Sequence, residues 1–253
     1  MTEFIVKFAD TVIGIRSSRE NFSYYFRYYP SDETPQFYVE ATAEEIEKMI
    51  VALKKREDFT VLAPEKLAEV AEFCVLHEQI ARRLLDDGVL LIHGSAVADK
   101  NGAYLFIAPS GTGKSTHTAL WLQVYGNKYY IINDDKPMLR LTEDGVTIYA
   151  TPWGMAGKPR RGEATRLKAI ISLERGEENR IWQVDGKSFY AEVIKASLRG
   201  NTPQEAVRIL TLEQKLLENA VCCKMNCNMD PEAAVMSHDF LTALAEKTLT
   251  DRV

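Results

Sequence analysis

An excess of positive charge is the first thing this sequence lacks. Its 31 Lys and Arg are outnumbered by 36 Asp and Glu, for a net charge of −5. Non-specific nucleic-acid binding relies on surplus cations to neutralise phosphates, so no nucleic-acid partner is expected. Long apolar runs are also missing, and none is long enough to span a bilayer. The opening "MTEFIVKFADTVIGIRSS" has no basic head, unbroken apolar core and small-residue cleavage site, so it does not read as a signal peptide. A cytoplasmic protein without a membrane partner is the expectation. Cysteine is scarce: Cys74, Cys222, Cys223 and Cys227. The cluster "CCKMNC" has no second pair of ligands and no nearby histidine, which favours reduced thiols in an apolar strand over a zinc site. Internal repeats and low-complexity segments are absent.

What remains is an ordinary globular composition. Of 253 residues, 46% are hydrophobic and 26% charged, enough for one large domain or a core with a smaller companion. Residues 1–62 read as a small β-rich region. There "FIVKFADTVIGIRS", "SYYFRYYP" and "QFYVEA" have the aromatic and β-branched content of strands. "TAEEIEKMIVALKK" reads as a helix opened by a capping box, Thr42 with Glu45. The remainder, 63–253, reads as an α/β domain. A helix runs from Pro64 toward Gly88, with Leu67, Val70, Ala71, Cys74, Ile80 and Leu84 near helical spacing. Short apolar strands follow in "VLLIHGSAVA", "GAYLFIAP" and "KYYIINDD". Next come a hairpin in "PMLRLTEDGVTIYAT" with an Asp-Gly turn, and a strand in "LKAIISLE". The tail is helical, around "TPQEAVRILTLEQKLLENA" and "DPEAAVMSHDFLTALAEK".

Four stretches carry chemistry. Ala108–Ser115 reads A-P-S-G-T-G-K-S against the phosphate-loop motif G-x-x-x-x-G-K-[ST]. A strand precedes it and a helix follows, as the motif requires. Gly111 and Gly113 let the backbone converge its N–H groups on phosphate oxygens, and the helix adds its positive end. Ser110, Gly111, Thr112, Gly113, Lys114, Ser115 and Thr116 are therefore the expected nucleotide cradle. Lys114 would face the β and γ phosphates, and the Ser115 hydroxyl would ligate Mg²⁺. The absent first glycine, here Ala108, matters less because that residue only ends the strand.

The second stretch is "YYIINDDK". Asp134 and Asp135 lie 20 and 21 residues after Lys114, where such proteins hold the metal-linked carboxylate. One acid suffices for Mg²⁺, and a second beside it permits proton abstraction from a hydroxyl. A surface Asp-Asp turn is the plainer alternative. The third is "LLIHGSAV", in which His93 ends an apolar strand just upstream of the loop. If the two strands are neighbours, His93 sits at the same sheet end and can tune a carboxylate; otherwise it is a core histidine. The fourth, "TPWGMAGKPRRGEATR", carries Gly154, Gly157, Lys158, Arg160 and Arg161. It reads as a cationic loop able to meet charge on a transferring phosphoryl group, or as a solvated surface loop.

Together, His93–Gly94, Ser110–Ser115, Asp134–Asp135 and the Gly/Arg loop entering "RLKAIISLE" resemble the HPr kinase/phosphorylase family. That family shares a nucleotide-binding core with ATP-dependent phosphoenolpyruvate carboxykinases. The likeness spans roughly Val89 to Glu174. It implies a mixed β-sheet core, ATP and Mg²⁺ as cofactors, and Lys114 and Ser115 as their ligands. It also implies the Asp134/Asp135 pair as metal contact and general base toward a serine of a protein or peptide, with Asp135 favoured as the base. His93 would assist, an arginine such as Arg160 or Arg161 would lie beside the transferred group, and the chain would form a homo-oligomer. Ala108-Pro109 and "GMAGKPRRG" depart from the family pattern. A small-molecule hydroxyl as acceptor, or a nucleotide-binding regulator or weak ATPase that transfers nothing, are the competing readings. A carboxykinase is disfavoured by length.

Overall fold

The computed structural model describes residues 2–154 and 164–250, without the side chains of 57, 58 and 245–250. The chain forms two compact units, 1–84 and 85–253.

The first unit begins with a hairpin, β1 (Thr2–Phe8) and β2 (Thr11–Ser17). The pair Phe8↔Thr11 leaves only Ala9 and Asp10 to turn, both at positive φ (50° and 56°), the twist such two-residue hairpins need. A third strand, β3 (Phe37–Glu40), joins β2 in parallel. The segment "SYYFRYYP" is not a strand. Phe22–Phe26 is a 3-10 helix that buries Phe22 and Phe26, with Tyr29 buried beyond it. Burial at 22, 26 and 29 follows helical spacing, which aromatic content had masked. The rings of Phe22, Tyr25 and Phe26 all meet Phe73.

Two longer helices flank a short one in this unit: α1 (Ala43–Leu53), α2 (Glu57–Thr60) and α3 (Pro64–Arg83). Thr42 and Glu45 form the capping box expected at α1. Helix α3 has Pro64 in its first turn and packs Leu67 and Ala71 against Leu53 of α1. Glu72 on α3 is buried and satisfied by Ser17 and Arg19, which donate to its two oxygens at 2.5 and 2.7 Å. The boundary anticipated at residue 62 therefore differs from the observed one. The apolar face and the buried carboxylate of α3 find their partners in the first unit, so this helix belongs there.

In the second unit the stretch "VLLIHGSAVA" is two strands, β4 (Val89–Leu91) and β5 (Gly94–Asp99), with His93 between them. They are followed by β6 (Gly102–Ile107), α4 (Lys114–Tyr125), β7 (Tyr130–Asn133), β8 (Met138–Thr142) and β9 (Gly145–Tyr149). The β8–β9 pair Thr142↔Gly145 makes Glu143 and Asp144 the hairpin turn, and Gly145 starts the return strand at φ +129°. Then come β10 (Ala164–Arg175), β11 (Arg180–Val184), α5 (Gly186–Ala196), α6 (Pro203–Asn219), β12 (Val221–Cys227) and α7 (Pro231–Thr250). The cysteine stretch "CCKMNC" lies in a strand, β12, between the two helices of the tail, and it pairs with β10 and with β11.

The nine strands run β4-β8-β9-β10-β6-β5-β7, with β12 on β10 and β11 on β12. The sheet is mixed. Strands β6, β10 and β12 are parallel, while β5 is antiparallel to both β6 and β7. Both faces are covered, so β6 is buried throughout instead of alternating with polar residues. Ala103, Leu105 and Ile107 face a core that includes Phe189 and Val193 of α5 and Leu212 and Leu216 of α6. Tyr104 and Phe106 face the other core, with Trp121 of α4 and Ala233, Ala234 and Leu241 of α7. The cysteines are free; burial pushes the Cys222 and Cys223 thiols of β12 up to about 12. Among the described residues no helix is long and apolar enough to cross a membrane.

Helix α4 is locked to α7 by a buried polar cluster. Ser237 Oγ donates to Ala234 O and accepts from Trp121 Nε1 at 2.9 Å. Its remaining contact, His117 Nε2 at 3.1 Å, must then be a donor, so Nε2 carries a proton. His117 Nδ1 is buried without a partner, and burial lowers the pKa from 6.5 to about 4. Between those values the unfolded chain takes up a proton that the folded one refuses, so stability falls as pH drops. Urea unfolding at a series of pH values is expected to show a loss of about 3 kcal/mol attributable to this residue between pH 6.5 and 4. His117→Gln should remove that part of the slope; an unchanged slope would show that His117 does not titrate in this way.

Candidate functional site

Strand order brings distant residues to one edge of the sheet. Strands β6 and β7 run the same way, with β5 reversed between them. The ends of β6 and β7 and the start of β5 therefore coincide. Register makes this specific: Gly94 pairs with Ile107, the last residue of β6, and Ala96 pairs with Asn133, the last residue of β7. The loop 108–113, the turn at 134–136 and His93 all leave the sheet there. Gly94 also fits the crowding, since a Cβ would come within 2.9 Å of Phe106 O.

The loop after β6 is built on two glycines. Gly111 and Gly113 adopt φ +79° and +116°, and Cβ atoms there would meet nothing within 4 Å. Backbone conformation, not space, requires glycine at both. Thr112 N closes a turn on Pro109 O at 3.3 Å, and α4 starts at Lys114 with Gly113 as its N-cap. Lys114 is buried and folds back over the loop, donating to Ala108 O at 2.9 Å and Pro109 O at 3.3 Å. Residue 108 thus contributes its carbonyl, which explains how alanine can stand where the motif has glycine. Burial lowers the pKa of the Lys114 ammonium, against the pull of the nearby Asp135 carboxylate. Ser110 and Thr116 are exposed, on the loop and on the first turn of α4.

The turn after β7 rests on Asn133, which the sequence reading passed over. This buried side chain accepts from the backbone N–H of Asp135 at 3.0 Å and of Lys136 at 2.8 Å. Its amide donates to Thr151 Oγ1 at 3.0 Å, and that hydroxyl donates to Lys136 O at 2.8 Å. Asn in an Asx turn was the available signal. The two aspartates then diverge. Asp134 is buried, and its backbone carbonyl lies 3.4 Å from Ser115 Oγ. A Cβ on Gly154 would come within 2.8 Å of Asp134 Oδ1, so the chain packs closely over that carboxylate. Asp135 is partly exposed, with Oδ1 3.3 Å from His93 Nε2. The backbone fixes the same pairing, because Gly94 N donates to Asp135 O at 2.9 Å.

His93, Lys114, Ser115, Asp134 and Asp135 are thus brought together. Gly157, Lys158, Arg160 and Arg161 lie outside the described residues. One described cation absent from the sequence reading does reach the loop: Arg175, at the end of β10, donates Nε to Thr112 O at 3.2 Å and Nη2 to Gly111 O. Among the described residues no three or more His, Cys, Asp or Glu side chains form a metal centre. A divalent ion at this edge would draw on Ser115, Asp134 and ligand oxygens, a donor set suited to Mg²⁺.

The fold and this edge define a mixed α/β protein with a strand–glycine loop–helix unit beside an acidic turn. No family model matches the chain, and no curated protein matches it. Among solved structures it is similar to the HPr(Ser) kinase/phosphatase from Coxiella burnetii. That likeness has 11% identity, covers 64% of this chain and 99% of that one, and has a TM-score of 0.35. It is a distant likeness and carries no weight for the chemistry of this chain.

The turn geometry has a measurable consequence. Asn133→Ala strands the backbone donors of Asp135 and Lys136, and is expected to cost about 2–4 kcal/mol in urea unfolding. Asn133→Asp keeps the acceptor and should cost less. Equal stability of all three proteins would mean that Asn133 does not hold the turn.

Proposed function

We propose that the protein is an ATP-dependent kinase that moves the γ-phosphate to the hydroxyl of a serine in a protein or peptide. The observation that carries this reading is the His93–Asp135 pair. Asp134 and Ser115 suffice to hold a metal, so a second carboxylate contacting an imidazole at 3.3 Å, and close enough to Lys114 to affect its pKa, goes beyond what nucleotide binding needs. It suits proton abstraction.

In this reading the Gly111–Gly113 backbone and the N-terminus of α4 receive the phosphates. Lys114 exchanges its loop carbonyls for β and γ oxygens. Ser115 and Asp134 would hold a Mg²⁺ ion, which when bound would supply charge neutralisation to the phosphates. Asp135 accepts the proton of the acceptor hydroxyl as its oxygen bonds to the γ-phosphorus. The bond to the bridging oxygen breaks, and ADP leaves. His93 holds the Asp135 carboxylate in place. The resemblance of the four motifs to the HPr kinase/phosphorylase family supports the same assignment, with an arginine of the 158–161 stretch beside the transferred group. A cytoplasmic location and a homo-oligomeric state belong to the same proposal.

Incubation with γ-labelled ATP and serine-bearing peptides or a cell extract is the test. Label should appear on a protein or peptide; label only in free phosphate would replace the kinase with an ATPase, and label on a small molecule would change the acceptor. Lys114→Ala is expected to abolish nucleotide binding. Asp135→Asn should leave binding within about threefold while lowering transfer by about 10²–10⁴; a wild-type rate would remove Asp135 as the base. Gly154→Ala should displace the Asp134 carboxylate and raise the Mg²⁺ concentration needed for half-maximal activity.

A further inference from the structure

We propose that Arg175 is a positioning residue that holds the phosphate loop in its anion-receiving form, an inference that rests on the nucleotide reading above. Its placement follows from register. Strand β10 is parallel to β6, and Ser172 pairs with Ile107, the final residue of β6. Three residues further along, β10 has outrun its neighbour and Arg175 is level with the loop. Its backbone is fixed on the other side, where Arg175 pairs with Cys227 of β12 and Gly176 N donates to Cys227 O at 3.1 Å.

The guanidinium then spans two successive carbonyls, those of Gly111 and Thr112. It does so with two separate nitrogens, Nε on Thr112 O and Nη2 on Gly111 O, a spacing set by the planar fork and absent from a single ammonium nitrogen. A trans peptide aims its N–H opposite to its C=O. Drawing the Thr112 carbonyl to Arg175 therefore turns the Gly113 N–H away from β10, toward the side that α4 and Lys114 present. Drawing the Gly111 carbonyl the same way removes a second negative dipole from that side. Both glycines flank the clamp at positive φ, where they are free to adopt other conformations. Without the clamp, the loop has to be ordered at the expense of binding.

The test is binding of a non-hydrolysable ATP analogue with Mg²⁺ to the full chain, alongside steady-state kinetics and a thermal melt without nucleotide. Arg175→Ala should weaken analogue binding and raise KM for ATP by about 10- to 100-fold, with kcat at saturating ATP within about twofold and the melt unchanged. Arg175→Lys keeps the charge but replaces the two-nitrogen fork with one nitrogen on a differently shaped stem, so it should recover only a small part of the loss. Full recovery by lysine would show that charge alone acts and overturn the clamp. A fall in kcat with KM unchanged would make Arg175 a catalytic group and also overturn it. If the wild type binds the analogue and both variants bind it equally well, the clamp fails while the nucleotide reading stands. If the wild type binds none, the nucleotide reading itself fails.

Discussion

Everything at the candidate site depends on one reversed strand. Strand β5 runs antiparallel between β6 and β7, so three segments far apart in the chain finish or begin at the same edge. A one-residue slip in either ladder would turn the side chains of β5 to the opposite face and move His93 out of step with Asp135. The edge is therefore as well defined as the sheet core, which is buried on both faces and tolerates no such slip.

Beneath the edge, fully buried polar groups keep the turns in shape. Asn133 and Thr151 replace missing backbone partners after β7, and Ser95 Oγ meets Thr118 Oγ1 at 2.8 Å between β5 and α4. His117, Trp121 and Ser237 fix α4 against α7 from the other side. Buried polar groups of this kind hold a geometry because leaving any one unpaired costs more than the bond itself yields. The helix that begins at Lys114 is thus held from two directions before any ligand arrives. The loop in front of it is open, and its carbonyls are gathered by Arg175.

Parts of this were legible because they are local. The capping box at Thr42 and Glu45 depends on residues three apart, and Pro64 at the start of α3 depends on its own ring. The glycine loop before Lys114 was legible for the same reason: positive φ at Gly111 and Gly113 is a property of those residues and their neighbours. The aromatic run at 22–29 was misread because composition was weighed above spacing; Phe22, Phe26 and Tyr29 carry a helical period that their packing obeys. The division between compact units at 84 and 85 depends on tertiary contact. The period of α3 reveals an apolar face but not that Leu53, Ser17 and Arg19 lie against that helix.

Residue type makes the loop, the acidic pair and the histidine recognisable as chemical parts, since it sets what each can donate, accept or ligate. The sequence could also state the condition on which they would act together, that the strand after His93 and the strand before the loop be neighbours. Strand pairing meets that condition and separates the two aspartates into a buried one under Gly154 and a partly exposed one against His93. It also brings in Asn133 and Arg175, whose roles depend on strand register. Register is a relation between segments, fixed by which apolar faces bury together, and no short stretch of sequence contains it.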